Sequence, residues 1–187
     1  MLARYKSTFI LVLLLGLLYG SYYYWFRTPK ESIAPSATPE IVQLFNYTET
    51  DIAEVSWKYA SGSGTLQRSD AGWKLVSPPV SVDQAKVGAF ISSFTRLDGQ
   101  YRYSLDKVSK ETAGVNNPSY TLTVKKKDGN VQTLLIGRQA IGGDYYYAFK
   151  EDTDFVTLLS SYVISGMEID PYSLSPSPSG SPAAMTP

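Results

Sequence analysis

The sequence predicts an α+β protein: an N-terminal transmembrane helix, then a single antiparallel-sheet domain with one main packed helix. Three observations carry that prediction. Between Lys6 and Arg27 stand 20 residues without a charge. Most of 41–170 consists of short runs rich in β-branched and aromatic residues, separated by Gly, Pro and Asp turn signals. One stretch alone repeats at helical spacing, with Val87, Phe90, Ile91, Phe94 and Leu97 on one face.

The uncharged run, residues 7–26, makes a helix of about 30 Å at ~1.5 Å per residue, the thickness of a bilayer core. Its far end, Tyr22, Tyr23, Tyr24, Trp25 and Phe26, reads as an interfacial aromatic belt. A cleaved leader is the competing reading, but cleavage needs small residues where these aromatics stand. Gly16 and Gly20 match the small-xxx-small pattern of packed membrane helices. Gly16, Gly20 and the five aromatics are therefore the candidate contact with another integral membrane protein. A plain anchor with a chance glycine pair explains the same letters equally well. Arg4 and Lys6 before the run set residues 1–6 in the cytoplasm and everything after residue 26 outside it.

Residues 27–40 read as an extended linker, with Pro29, Pro35 and Pro39 among Ser and Ala. Residues 41–170 are left for the folded domain. Residues 171–187 read as a disordered Pro/Ser tail.

Within the domain, strands are expected at 41–45, 51–59, 65–68 and 73–76, with Ser61-Gly62-Ser63-Gly64 as a loop. Ser81 and Gln84 fit a capping box that opens the helix, and Gly99 suits the position just past its end. Strands follow at 100–105, 120–124, 131–136, 144–149 and 155–159, with the hairpin signal Asp128-Gly129 between the second and third of these. Residues 107–117 are irregular, with room for one helical turn.

Composition narrows the chemistry. The 187 residues contain no cysteine and no histidine, so thiolate chemistry, the commonest general base and the commonest transition-metal ligand are missing. Lys+Arg and Asp+Glu each number 17. With Arg4 and Lys6 set aside, 15 basic residues face 17 acidic ones outside the membrane, which gives no drive toward nucleic acid. Glu151-Asp152-Thr153-Asp154 lacks the glycine and the distant Glu of a calcium loop and reads as an acidic turn. Lys125-Lys126-Lys127 reads as a solvated turn, and Trp73 as a core aromatic. Asp51 and Glu54 have only proximity to recommend them as an acid/base pair. Asn46-Tyr47-Thr48 is a formal glycosylation sequon. No catalytic residue, cofactor or metal ligand is assigned, and the chain is read as non-enzymatic. Tyr145 and Tyr147, on one face of a strand with Tyr146 on the other, are the candidate surface binding residues.

Several segments resemble a known family. Trp73-Lys74-Leu75 with Pro78 and Asp83-Gln84-Ala85-Lys86-Val87 resembles the W-x-L…P…D-x-A-x-V signature of the domain of unknown function 4340. Ala113-Gly114-Val115 and Pro118 resemble its Y-G-L-x-x-P turn, with Ala and Val where Tyr and Leu are usual. Leu135-Ile136-Gly137 and Asp144-Tyr145-Tyr146 resemble its L-x-I-G…Y-Y segment. The resemblance covers about 45–159. It implies a bacterial protein of the inner or thylakoid membrane, single-pass, with its domain periplasmic or lumenal. It implies an accessory role in a transport, envelope, photosynthetic or respiratory complex, and it transfers no catalytic residue. A binding module for envelope glycan or peptide is the alternative.

Overall fold

The computed structural model describes Leu15, Gly16, Tyr19 and residues 40–177. The chain separates into two units, residues 1–34 and 35–187. Leu15, Gly16 and Tyr19, all helical and exposed, are the described part of the first. The rest of the expected membrane span, with Gly20 and Tyr22, Tyr23, Tyr24, Trp25 and Phe26, lies outside the described residues. Among the described residues no helix is long and apolar enough to cross a membrane.

The second unit is an antiparallel sheet-rich domain with few helices. Its strands are β1 (Ile41–Asn46), β2 (Ile52–Tyr59), β3 (Gly62–Ser69), β4 (Gly72–Ser77), β5 (Pro79–Val80), β6 (Arg96–Ser104), β7 (Tyr120–Lys126), β8 (Val131–Gln139), β9 (Tyr145–Lys150) and β10 (Phe155–Ser160). Its helices are α1 (Gln84–Thr95), α2 (Lys110–Ala113) and α3 (Ser161–Met167), and 3-10 turns lie at Glu49–Asp51 and Pro171–Leu174. The strands form one sheet in the order β1-β6-β10-β9-β8-β7-β2-β3-β4-β5.

Helix α1 forms for the reason its spacing suggests. Val87, Phe90, Ile91 and Phe94 are its buried residues and pack into the larger of two cores. Trp57 from β2 meets Phe90 at 4.9 Å between ring centroids, and Phe90 meets Phe94 edge-on at 5.4 Å. Each such aromatic contributes about 1.5–3 kcal/mol through burial.

The helix ends differ from expectation. Asp83, not Ser81, is the N-cap: its carboxylate accepts from the N–H groups of Ala85 and Lys86. Gln84 does not close a capping box. Its Oε1 accepts the Trp73 N–H at 2.8 Å and its Nε2 donates to the Trp73 carbonyl at 2.9 Å, so it ties α1 to β4. The helix stops at Thr95 and the chain runs straight into β6, so Gly99 is a strand residue rather than a helix terminus. Leu97, expected on the helix, is buried from β6 instead.

Glycine also extends β3. Gly62, Ser63 and Gly64, expected in a loop, belong to the strand. A Cβ on Gly64 would overlap the Trp57 ring, so glycine here makes room for the indole opposite it.

The C-terminal boundary also moves. Beyond Asp170, expected to end the domain, Pro171–Leu174 forms a 3-10 turn with Pro171 and Leu174 buried. The segment from α3 to Ser175 is strapped down by long-range bonds. Tyr120 donates to the Met167 carbonyl at 2.9 Å and Trp57 Nε1 to the Ile169 carbonyl at 3.0 Å. Lys86 Nζ reaches the carbonyls of Ser173 and Ser175. These buried hydroxyl and indole donors make one hydrogen bond each, which a buried donor requires.

The second core lies on the opposite face of β6, β10 and β9, under the segment that contains α2. Val108, Ala113 and Val115 cover Tyr103, Tyr147, Phe149, Val156 and Leu158 there. Gly114, at φ 75°, turns this cover back toward β8. Gly137 lets the Ala113 carbonyl pass close over the strand.

Candidate functional site

The site is built by a bulge in β6. Thr157 on β10 pairs with Arg102 and Leu158 with Gln100, so Tyr101 is an extra residue in β6. It sits at φ 61°, in the left-handed region that a bulky side chain rarely adopts. Thr157, fully buried, holds the bulge: its hydroxyl lies 2.9 Å from the Tyr101 carbonyl and 3.2 Å from that of Gln100. Gly99 leaves room for that hydroxyl, since a Cβ there would overlap it. Strain of this kind costs on the order of 1–3 kcal/mol and persists where surrounding structure enforces it.

The bulge brings Gln100 and Tyr101 to the face of the second core, beside Tyr145. The Tyr101 and Tyr145 rings meet edge-to-face, 6.3 Å apart at 86°. The Tyr145 hydroxyl donates to Gln100 Oε1 at 3.1 Å. Both rings are half-buried, and both pack against the second core. Tyr103 and Tyr147 lie deeper in that core, each 8% exposed. Burial pushes the Tyr103 phenol above its ordinary range, with Tyr147 and Tyr101 adding to the shift. Ile41 stands opposite Gln100 in β1 and is 75% exposed. The patch thus offers aromatic faces, phenol hydroxyls and an amide, groups that bind by stacking and hydrogen bonding.

Of the two tyrosines singled out from the sequence, Tyr145 is at the surface and Tyr147 is not. The alternation is as expected: Tyr146 packs against the larger core, Tyr145 and Tyr147 against the smaller one. Tyr147 is withdrawn because the α2 segment covers its end of the face. Tyr101 takes its place beside Tyr145, and no sequence signal marks it, because only the cross-strand register reveals the bulge.

Most of the other singled-out residues have partners within the domain. Trp73 is buried, donates from Nε1 to Glu49 Oε1 at 3.2 Å and lies under the Arg68 guanidinium. Asp152 pairs with Lys150 and Asp154 with Arg102, which stacks on Phe155 at 4.3 Å. Lys126 pairs with Asp128 in the hairpin turn. Asp51 accepts from the Thr48 hydroxyl, and Glu54 sits in β2. Among the described residues no three His, Cys, Asp or Glu side chains converge to hold a metal ion. Sequence reading also missed a row of hydroxyls across five strands, Ser77, Thr65, Ser56, Thr123 and Thr133 in register. Such cross-strand pairs stabilise a sheet surface by a few tenths of a kcal/mol, up to about 1.

No protein-family model, curated protein or solved structure matches the chain.

Proposed function

We propose that this chain is a non-enzymatic accessory or scaffold subunit of a larger bacterial membrane complex, held there by a single span over 7–26. The observation that carries the proposal is the run of 20 uncharged residues ending in five aromatics, followed by a proline-rich linker and one sheet domain. The orientation, cytoplasmic N-terminus and periplasmic or lumenal domain, follows from Arg4 and Lys6. Partner contact is assigned to Gly16, Gly20 and Tyr22, Tyr23, Tyr24, Trp25 and Phe26.

Membership of the domain of unknown function 4340 family is part of the same proposal. In support, the residues that carry its signature act together here. Asp83 caps α1, Gln84 clamps the Trp73 backbone, and Trp73 is buried. The signature thus works as a packing device between β4 and α1, which suits a family with no catalytic residue to transfer.

The second reading, a membrane-anchored module for envelope glycan or peptide, is favoured by the half-buried Tyr101 and Tyr145 beside exposed Ile41. A span exchange separates the two. Residues 7–26 are replaced by an unrelated span of the same length. Loss of the membrane partner with the domain still folded and exported supports the first reading. Retention at normal stoichiometry moves recognition to the domain, where Tyr101→Ala and Tyr145→Ala then test the tyrosine patch.

A further inference from the structure

Residues 168–175, the strap that follows α3, contribute no strand to the sheet, so their departure would break no strand pairing. The domain grips this segment by its main chain. Trp57 Nε1 donates to the Ile169 carbonyl, Lys86 Nζ to those of Ser173 and Ser175, and the Asp83 N–H to that of Leu174 at 2.8 Å. Among the described residues no strap side chain hydrogen-bonds back to the domain; those of Asp170 and Ser173 bond within the strap. Two side chains three residues apart enter as apolar anchors. Leu174 is fully buried, and Pro171 is buried where a Cβ on Gly62 would meet its ring at 3.4 Å. Tyr172 between them is 62% exposed. The strap also shapes itself. The Asp170 carboxylate accepts the Tyr172 N–H at 2.9 Å, and the Ser173 hydroxyl donates to the Asp170 carbonyl at 2.6 Å. A turn built by its own side chains lowers the ordering cost of binding. Main-chain capture with spaced apolar pockets is the chemistry by which folded domains read peptides.

We propose that the groove bounded by Trp57, Gly62, Asp83 and Lys86 is a peptide-binding site, closed in cis by residues 168–175 as an autoinhibitory strap. Its ligand in trans is an Asp-Pro-x-Ser-Leu segment of a different protein, which enters when the strap leaves. Opening leaves the buried Trp57 indole without an acceptor, and a ligand carbonyl restores one. A second copy is the poorer source. Residue 168 follows α3 directly, and Ile164 and Met167 of α3 are buried, so the strap has no free hinge with which to reach another domain. The inference rests on the sheet domain alone and stands apart from both the membrane assignment and the tyrosine patch.

The test uses the purified full-length chain and a fluorescent peptide of residues 168–177. Leu174→Asp puts a charge where the leucine is buried and so releases the strap, while the groove residues stay unchanged. The peptide should bind this variant saturably and lose binding when its own leucine is replaced by alanine. It should bind the wild-type chain about thirtyfold more weakly or worse, because only the fraction of chains with the strap open can accept it. Absence of binding to a folded Leu174→Asp chain overturns the proposal. So does equal binding to both chains, which would place the peptide elsewhere. A wild-type dimer that dissociates on Leu174→Asp also overturns it, since the strap would then be an arm exchanged between copies. Hydrogen exchange in the wild-type chain covers the case in which the variant does not fold. Relative to its intrinsic rate, the Trp57 indole N–H should exchange about a hundredfold faster than the β2 amides, which need the sheet itself to open. Equal protection of the two overturns the proposal. Every readout is made on purified chain, so a failure here leaves the membrane assignment untouched.

Discussion

Gln84 shows how much one side chain decides in this domain. Its amide satisfies both backbone groups of Trp73, as a neighbouring strand would. Gln84→Ala should cost about 1–3 kcal/mol, since it leaves backbone groups of a buried residue unpaired. An unchanged urea midpoint for residues 40–177 would show that water replaces the amide at no cost. Gly64→Ala drives a methyl into the Trp57 ring and should cost about 1–3 kcal/mol by overpacking. The same unfolding curve tests it, and a stabilised variant would mean the indole has room to move. Neither role was legible locally. Ser81, Asp83 and Gln84 all suit a helix start, and only the fold selects Asp83 as cap and frees Gln84 for β4. Gly62 and Gly64 read as loop because glycine marks turns more often than it marks a ring across a strand. Tyr145 was legible by alternation, whereas Tyr101 was not, because a bulge is a property of two strands.

At the scale of elements, α1 was the most legible part of the chain, since its apolar spacing needs no knowledge of the partner sheet. The strands were legible as runs, with ends displaced by a few residues, except β5, where Pro78-Pro79 reads as the end of the sheet and Pro79–Val80 pairs with β4 instead. The C-terminal strap was not legible. Its pieces are seven and four residues long, too short to be stable alone, and the second of them falls where the Pro/Ser letters read as a disordered tail. It is ordered by distant groups: Trp57, Tyr120 and Lys86 bind its carbonyls, and Leu174 is fully buried. A fragment ending at residue 170 should therefore be less stable than one ending at 177 by about 2–4 kcal/mol, the worth of a buried Leu and its accompanying bonds. Thermal unfolding of the two fragments decides it. Coincident curves would mean the 3-10 turn adds nothing to the core.

For the whole molecule, pH response follows from the tyrosines. Burial pushes the Tyr120 phenol well above its ordinary value, with Glu168 and Tyr59 adding to the shift. Burial and then Asp152 do the same for Tyr47, which hydrogen-bonds to Gln132. A phenol whose pKa is raised by folding stabilises the fold fully below the unfolded value and loses that stabilisation as pH rises through the folded value. The chain has no histidine, so no side chain with an ordinary pKa near neutrality opposes this. Stability should be nearly flat from roughly pH 6 to 9 and fall above about pH 10. Tyrosinate absorbance should then rise together with loss of structure. Titration of all tyrosines near their ordinary value with the fold intact would contradict the burial of Tyr47 and Tyr120.

The sheet order was the least legible feature at this scale, because each strand's neighbours are set by long-range packing. The assignment to a membrane complex rests on composition at the other end of the chain. It is tested most directly by purifying the full chain from gently solubilised membranes and counting what comes with it. The account predicts recovery in the membrane fraction with an integral membrane protein at fixed stoichiometry. Recovery from the soluble fraction, or from membranes with no protein partner, would contradict it.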